Sequence, residues 1–518
     1  MTLRDGNHGA LEGDLTTSPH IVATNIARVD EDTVPSEPTP TSALSSSIQL
    51  NHDRVTHKED RLTTKWLKQQ GGVPNSPLVD AVYHVILVLM VWGLLASIFL
   101  SEALPGGNVF NIYVLLVLAN IAGIISRLIR LPGLFGMLLV GIVLKSVGFY
   151  SLSGPYAEIS SLAREFALAI ILTKAGMALD PDVLRKNAFT VIKLSLLPCI
   201  GEAITAAVAS HYIIGLPWLW AALMGLVMSP ISPAVVVPTL ISLKERGYGE
   251  DKGIATLVIA ASAIDDVFSI VAFGVVLKMI FTSGEDIVTT IVSGPLDVIG
   301  GIIIGLVWAL LCALLPNKDD INCIAKRISL VGVGGVALVL GTSALNHGVI
   351  GTLGCITTSL FANICWNMQE PDSSKNSKVP HVFTVIWRYT EPVLFAMVGA
   401  EIDVRTIQPS MVLYGLAVIA IGIVGRVLVC YLSLYGTGLN LKEVVFVIMA
   451  WLPKATVQAA ISANALDLVR LNPNPPAEQL ELATWILNTS ILAIVITAPL
   501  GSISINLLGD KLLSRKIP

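Results

Sequence analysis

The chain has 518 residues, of which 53% are hydrophobic and only 14% are charged, and its mean hydropathy is +0.74. Soluble domains carry about 25% charged residues, so this composition excludes an ordinary soluble protein and predicts an integral membrane protein. The net charge of -4 and the six scattered cysteines exclude a basic nucleic-acid binder and a secreted disulfide-rich domain. We therefore expect membrane lipids as the surroundings and no nucleic-acid partner.

The amino-terminal segment, residues 1–79, differs in composition from the rest of the chain. It is rich in Ser, Thr, Pro and acidic residues and contains no sustained apolar period. Such a segment cannot bury enough apolar surface to offset the entropy lost on ordering, so we predict a disordered cytoplasmic tail. The membrane domain is then expected over residues 80–508, followed by a short cytoplasmic tail over residues 509–518.

Apolar runs follow one another through residues 80–508. Because the hydrocarbon core is about 30 Å thick, a spanning helix needs about 20 apolar residues. Fourteen runs meet this requirement: residues 81–100, 110–129, 133–149, 161–179, 189–213, 217–242, 253–281, 288–315, 328–345, 349–366, 382–402, 410–435, 443–468 and 482–508. The sequence therefore predicts an all-α, multi-pass membrane protein with fourteen transmembrane helices. Lys and Arg are concentrated in alternate predicted loops, which places both termini in the cytoplasm.

Two of the predicted helices are interrupted by proline. Predicted helix 6 contains SPISPAVVVP with Pro230 and Pro233, and predicted helix 13 contains LPKATVQAA with Pro453. Proline lacks a backbone N–H and clashes with the preceding turn, so backbone groups are left free at mid-membrane depth. Lipid does not tolerate such groups, whereas a cavity lined by protein does.

The positions of the two broken helices suggest an internal repeat. With residues 80–101 as an extra amino-terminal helix and residues 288–315 as a linker helix, two six-helix units remain, over residues 110–281 and 328–508. The broken helix is the fifth member of each unit. The units begin an odd number of spans apart, so their topologies are inverted. Paired interrupted helices in inverted repeats mark the midplane substrate site of a secondary transporter.

Five charged residues fall inside the predicted spans near these breaks. They are Glu202, Asp265, Asp266, Arg426 and Lys454. A charge at the bilayer centre costs about 2.5–3.5 kcal/mol on insertion scales, so we expect charge partners and a polar pathway. Carboxylates bind hard cations such as sodium and lithium, and they bind protons in competition. This competition is the chemistry of a cation/proton antiporter.

The two adjacent aspartates are expected to have different roles. Neighbouring residues of a helix point about 100° apart, so one carboxylate faces the transported ion while the other pairs with a base. Glu202 and Arg426 occupy the fourth helix of each unit, and we predict that they form a permanent clamp because arginine stays protonated. Lys454 differs, because a desolvated lysine can lose its proton.

At this point the sequence resembles a known family. Asp265–Asp266, SPAVVVP at residues 232–238, AWLPKATVQAA at residues 450–460 and Arg426 within VGRVLV are similar to motifs of the monovalent cation:proton antiporter-2 superfamily, specifically the animal sodium/hydrogen exchanger 9B branch. The resemblance extends over about residues 81–508. It implies an NhaA-like antiporter fold with crossing broken helices, a homodimer with the extra helix at its interface, an elevator movement, and a role in pH homeostasis.

The resemblance also implies roles for individual residues. Asp266 would be the main cation and proton site, with Asp265 as its neighbour paired with Lys454. Ser232 and Thr456 would be nearby ligands from the broken helices. Bacterial relatives have a lysine where this chain has Arg426. Since arginine does not release its proton, we expect electroneutral exchange of one sodium or lithium ion for one proton.

Several alternatives remain at the level of the sequence. On the same fold, a cation symporter (for example with chloride) or an electrogenic cation/proton antiporter would carry similar motifs. A channel needs no inverted repeat. We expect no enzyme and no cofactor, because the sequence contains neither HExxH nor a nucleophile elbow. The plasma membrane is the expected location, with endosomal or mitochondrial membranes as alternatives.

Overall fold

The computed structural model describes residues 77–515, except residues 153, 180, 250–251, 282–286, 318, 346, 371–373 and 473. The tail predicted over residues 1–79 lies outside the described residues apart from its last three. Residues 77–85 belong to one compact unit and residues 86–515 to a second. In the first unit His84 Nδ1 lies 2.6 Å from the carbonyl oxygen of Asp80. The second unit contains the predicted site and is described below.

The described part of the chain is helical apart from turns and an isolated bridge between Tyr248 and Arg515. The helices are α1 (Pro77–Phe99), α2 (Asn108–Leu128), α3 (Gly133–Ser146), α4 (Pro155–Ala178), α5 (Pro181–Ala209), α6 (Trp218–Met228), α7 (Pro233–Glu245), α8 (Ile254–Phe281), α9 (Ile287–Leu314), α10 (Cys323–Ala344), α11 (Gly348–Gln369), α12 (Ser374–Gly399), α13 (Pro409–Ser433), α14 (Leu441–Ala450), α15 (Thr456–Ile461), α16 (Asn464–Arg470) and α17 (Ala477–Leu512). Helix α17 thus extends four residues past the predicted boundary at residue 508.

Ten helices among the described residues are long and apolar enough to cross a membrane. They are Val79–Ala103, Asn108–Leu128, Ala188–Ile214, Trp218–Glu245, Ile254–Phe281, Ser293–Leu314, Cys323–Ala344, Gly348–Gln369, Pro409–Ser433 and Ala477–Leu512. The predicted number of fourteen is therefore not confirmed. Helix α3 has only 14 residues, α4 and α12 carry charged residues such as Arg164 and Glu391, and predicted helix 13 is divided into α14, α15 and α16.

The helices of the second unit pack as two groups. In the first group, α5 packs against α6, α8 and α13, and α17 packs against α7, α13 and α14. In the second group, α11 packs against α4, α9 and α10, and α12 packs against α2, α3 and α4. We call α5–α8 with α13–α17 the first group, and α2–α4 with α9–α12 the second group. Both predicted broken helices belong to the first group.

Both breaks occur at the predicted prolines. Helix α6 ends at Met228, and α7 begins with Pro233 at its first position. Proline is favoured there because its missing N–H has no intrahelical partner to lose. Helix α14 ends at Ala450 and α15 begins at Thr456, so Pro453 lies in the gap between them. Helix α17 approaches this gap closely at Gly501, which has no side chain. A Cβ atom at this position would lie 2.1 Å from Pro453 Cγ and would clash with it.

Candidate functional site

The two breaks lie against each other. The backbone N–H of Ser232 donates to the carbonyl oxygen of Pro453 over 2.8 Å. The hydroxyl groups of Ser232 and Thr456 lie 3.4 Å apart, and both residues are buried. The structure therefore brings together the two residues that the resemblance implies as neutral oxygen ligands.

Gln458 adds a second connection between the breaks that the sequence reasoning missed. Its side-chain Nε2 donates to the carbonyl oxygens of Val227, over 3.2 Å, and Pro230, over 2.7 Å. These carbonyls belong to the end of α6 and to the break after it. The only signal in the sequence is a polar residue within the apolar stretch that follows Pro453.

The two aspartates of α8 have different surroundings. Asp265 is fully buried, and its Oδ2 accepts a hydrogen bond of 2.8 Å from the backbone N–H of Ile231 in the first break. Asp266 is 7% exposed, and its buried Oδ1 has no hydrogen-bond partner within the part of the chain that the structure describes. Asp265 Oδ1 likewise has no hydrogen-bond partner among the described residues. One oxygen of Asp265 is thus fixed by the backbone, and each aspartate leaves an oxygen available to a proton or a cation.

Three buried charges form a cluster next to the aspartates. The Arg426 Nε donates to a carboxylate oxygen of Glu202, as the sequence predicts. The prediction that Lys454 pairs with Asp265 is wrong, because Lys454 Nζ donates to Glu202 over 2.8 Å. The backbone N–H of Lys454 is bonded to Thr497 Oγ1 of α17 over 2.9 Å. The lysine is therefore anchored on α17, with its side chain directed towards α5.

A further set of small polar groups lies beside Asp265 and was also missed. Cys199 Sγ lies 3.1 Å from Ser269 Oγ and 3.4 Å from Ser229 Oγ, and the two hydroxyl oxygens are 3.2 Å apart. These residues come from α5, α8 and the end of α6. Ser269 follows Asp265 by one helical turn, so neutral polar atoms continue the site along α8.

A cavity of about 480 Å³ opens at the end of the molecule where α4 and α7 end and α8 begins. It is lined by Ala178, Ile241, Lys244, Glu245, Thr256, Ile259 and Ala260. Thr256, Ile259, Ala263 and Asp266 follow at spacings of three or four residues and therefore share one face of α8. At 1.5 Å per residue, Asp266 lies about 15 Å from Thr256 along the helix. The lining of the cavity on α8 ends at Ala260, and Asp266 lies further along the same face of the helix.

Among the residues that the structure describes, three ion pairs join the two helix groups at the opposite end. They are Arg164–Asp467 at 2.7 Å, Arg470–Glu401 at 2.7 Å and Lys278–Asp297 at 2.8 Å. Along α4, Arg164 lies about 21 Å from the cavity end, and along α8 Lys278 lies about 18 Å beyond Asp266. The groups are therefore separated by a cavity at one end and tied by charges at the other.

Glu401 is central to these ties because it also accepts a bond of 3.1 Å from Arg164. Burial alone would raise the pKa of Glu401. The guanidinium groups of Arg164 and Arg470 outweigh burial and hold the pKa below its ordinary value of 4.5. The carboxylate of Glu401 is therefore ionised at neutral pH and takes part in both ion pairs.

The sequence and structure of known proteins are similar to those of this chain. Residues 113–511 match the family model described as the transmembrane sodium/hydrogen exchanger. Sodium/hydrogen exchanger 9B2 of Homo sapiens is 35% identical over 489 residues, covering 92% of this chain and 89% of the relative. The relative of the same name from Xenopus tropicalis is 37% identical, covering 84% and 80%. Sodium/hydrogen exchanger 9B1 of Homo sapiens is 36% identical, covering 86% and 85%.

Among solved structures, that of the sodium proton antiporter MjNhaP1 from Methanocaldococcus jannaschii at pH 8 superposes with a TM-score of 0.62. The sequence identity is 19%, and the match covers 78% of this chain and 98% of the solved one. The similarity therefore concerns the fold.

Because Glu202 pairs with both Arg426 and Lys454, we predict that mutations of Glu202 and Lys454 lower the stability of the protein by different amounts. Glu202→Gln leaves the two buried cations Arg426 and Lys454 without their acid, whereas Lys454→Met leaves the Glu202–Arg426 pair intact. Because an uncompensated buried charge costs roughly 3–5 kcal/mol, we expect Glu202→Gln to lower the melting temperature of the purified protein more than Lys454→Met does. Thermal melting in detergent measures both variants, and equal losses would contradict the shared-carboxylate arrangement.

The lowered pKa of Glu401 predicts a pH-dependent stability. A carboxyl group whose pKa is lower in the folded protein stabilises the fold above its ordinary pKa and ceases to do so as the pH falls through the folded-state pKa. Glu401→Gln should therefore destabilise the protein at neutral pH, by about 1.5–3 kcal/mol for the loss of hydrogen bonds to a charged group. The difference should shrink below pH 4.5.

The same melting experiment provides the control for Glu401. Asp510→Asn removes the acid of the exposed ion pair with Arg246, and such a pair contributes about 0–1 kcal/mol. We expect this variant to melt close to the wild type at both pH values. A loss in Glu401→Gln that is the same at neutral and acidic pH would show that its charge is not the cause.

Proposed function

The chain belongs to the sodium/hydrogen exchanger family, and we propose that it is a secondary active transporter that exchanges sodium or lithium ions for protons across a membrane. The names of its relatives support this activity. The observation that carries the proposal is the state of Asp266, a nearly buried carboxylate whose Oδ1 has no hydrogen-bond partner among the described residues, on the same face of α8 as Thr256 and Ile259 of the cavity. A proton and a hard cation compete for such a group.

Asp265, Ser232 and Thr456 complete the proposed cation site. The hydroxyls of Ser232 and Thr456 come from the two breaks and lie 3.4 Å apart, and Asp265 precedes Asp266 on α8. Carboxylate and neutral oxygens are the ligands that hard cations prefer. Within the described residues, no group of three or more His, Cys, Asp and Glu residues is placed to hold a metal ion. In the proposal, sodium or lithium is the substrate rather than a resident cofactor.

The charge balance of the site supports electroneutral exchange. With all five groups ionised, Glu202, Asp265 and Asp266 contribute three negative charges, and Arg426 and Lys454 contribute two positive charges. One proton or one monovalent cation at Asp266 makes the sum zero. Arg426 stays protonated throughout the cycle, so each cation replaces one proton. Electrogenic exchange, with Lys454 releasing a second proton, is the alternative that the voltage experiment below distinguishes.

We further propose alternating access of the elevator type, in which the first helix group moves against the second. The breaks, the aspartates and the charge cluster all belong to the first group. The cavity separates the groups at one end, and the three ion pairs tie them at the other. Opening of the tied end requires that these pairs break while new contacts close the cavity.

The proposal includes the setting of the transporter. We propose a homodimer in which α1 takes part in the interface, because side chains such as Met90, Leu94 and Ile98 are more than half exposed along it. Fourteen spans in inverted repeats, cytoplasmic termini and a plasma-membrane location complete the proposal. The distribution of Lys and Arg in the loops supports the orientation.

Asp266→Asn should abolish exchange while the protein still folds. Asparagine keeps the size and hydrogen-bonding capacity of aspartate, but it neither titrates nor offers a charged ligand. Sodium-driven proton movement in proteoliposomes, read with a pH-sensitive dye in the absence of chloride, measures the activity. The control Asp510→Asn should exchange at the wild-type rate. Wild-type exchange in Asp266→Asn would rule out Asp266 as the site, and a chloride requirement would favour symport.

The exchange equilibrium should not depend on membrane voltage. One cation against one proton moves no net charge, so the sodium gradient that stops proton flux should be the same at every potential. Proteoliposomes clamped with potassium and valinomycin at several potentials measure this balance point. A balance point that shifts with voltage would contradict electroneutral exchange and would identify Lys454 as the residue to mutate next.

A further inference from the structure

Gln458 occupies a position in the first break that a backbone N–H would fill in a continuous helix. In an α-helix, each carbonyl oxygen accepts from the N–H four residues later, so the carbonyl of Val227 would accept from Ile231. Here Gln458 Nε2 donates to that carbonyl over 3.2 Å. The Ile231 N–H is thereby available to Asp265, to which it donates over 2.8 Å.

The same peptide bond is held from both sides. The carbonyl oxygen of Pro230 accepts from Gln458 Nε2 over 2.7 Å, and the N–H of Ile231 belongs to the same peptide unit. In a planar trans peptide these two groups point in opposite directions. Rotation of the unit would therefore lengthen both bonds, so Gln458 and Asp265 together fix its orientation.

Another carbonyl freed at this break, that of Leu226, has a separate partner. Leu226 would accept from residue 230, but Pro230 has no N–H. The hydroxyl of Ser229 donates to Leu226 instead, over 3.1 Å. Since Ser229 satisfies that carbonyl independently, the loss of Gln458 would leave the Leu226 carbonyl paired and would remove the donor of Val227 and Pro230.

We propose that Gln458 is a positioning residue for transport: by binding the carbonyls of Val227 and Pro230 it frees and orients the Ile231 N–H that fixes Asp265. This inference rests on the proposed exchange function. Without Gln458, the Ile231 N–H can turn back to the vacant carbonyl of Val227, and Asp265 loses its donor. The Asp265 carboxylate of the proposed cation site is then less well placed, and cation binding and discrimination by ion size both weaken.

Kinetics of Gln458→Met test the proposal. Methionine has a similar length and no donor group. We expect the KM for sodium to rise roughly tenfold, the effect of losing one buried hydrogen bond, with the maximum rate changed much less and the preference between lithium and sodium reduced. The matched control is Ser462→Ala, which removes a buried hydroxyl without a partner among the described residues. Its KM should equal that of the wild type.

A double-mutant cycle separates a positioning role from a general effect on folding. Sodium-dependent thermal stabilisation of purified wild type, Gln458→Met, Asp265→Asn and the double variant reports binding without turnover. If Gln458 acts through Asp265, the double variant should match Asp265→Asn. Additive effects would overturn the proposal. If Gln458→Met fails to fold, Gln458→Asn carries the same expectation, because its shorter side chain keeps the donors but does not reach both carbonyls.

The two possible failures are distinguishable. A wild-type protein without sodium–proton exchange overturns the proposed function and this inference with it. Normal wild-type exchange with an unchanged KM in Gln458→Met overturns this inference alone.

Discussion

The backbone groups that proline leaves free at the two breaks impose the main constraint on this structure. In the hydrocarbon core of a bilayer, which contains no water to bind such groups, each unsatisfied backbone group costs several kcal/mol. The breaks meet this constraint by binding each other, through Ser232 N–H on Pro453 and Gln458 on Val227 and Pro230. The carboxylate of Asp265 takes one of the remaining N–H groups. The proposed cation site is therefore assembled from the same contacts that make the breaks tolerable.

Burial of charge is the second constraint on this structure. In the cluster at Glu202, the numbers of buried positive and negative charges are unequal. One carboxylate serves Arg426 and Lys454, so the cluster has an excess positive charge. Asp265, fully buried in the neighbouring helix, balances that excess. Asp266 then remains as the one negative charge without a counterpart among these five. In the proposed exchange, a site that is short of one positive charge attracts either a proton or a monovalent cation and accepts one of them at a time.

Much of this arrangement follows from local sequence signals. The breaks are predictable because each proline, Pro230, Pro233 and Pro453, interrupts the helix in which it lies. The pairing of Glu202 with Arg426 is predictable because buried charges of opposite sign stabilise each other. The partner of Lys454 is not predictable, since Glu202 and Asp265 lie on adjacent helices and a fraction of a turn decides between them. Pairs such as Arg164–Asp467, separated by 303 residues, depend on helix packing that no local pattern specifies.

Hydrogen bonds between buried atoms hold the first helix group together, whereas ion pairs join the two groups. This difference is compatible with the proposed movement of the first group against the second. Inside the first group, the breaks are joined by short hydrogen bonds among buried atoms, which water cannot replace without entering the core. Between the groups, the bonds are ion pairs near one end, where Asp467 and Arg470 are partly exposed. When a partly exposed ion pair separates, water can hydrate the charged groups and so offset part of the lost interaction. In the proposed elevator movement, the first group would therefore keep its hydrogen-bonded site intact, and the contacts that break would be the partly exposed ion pairs.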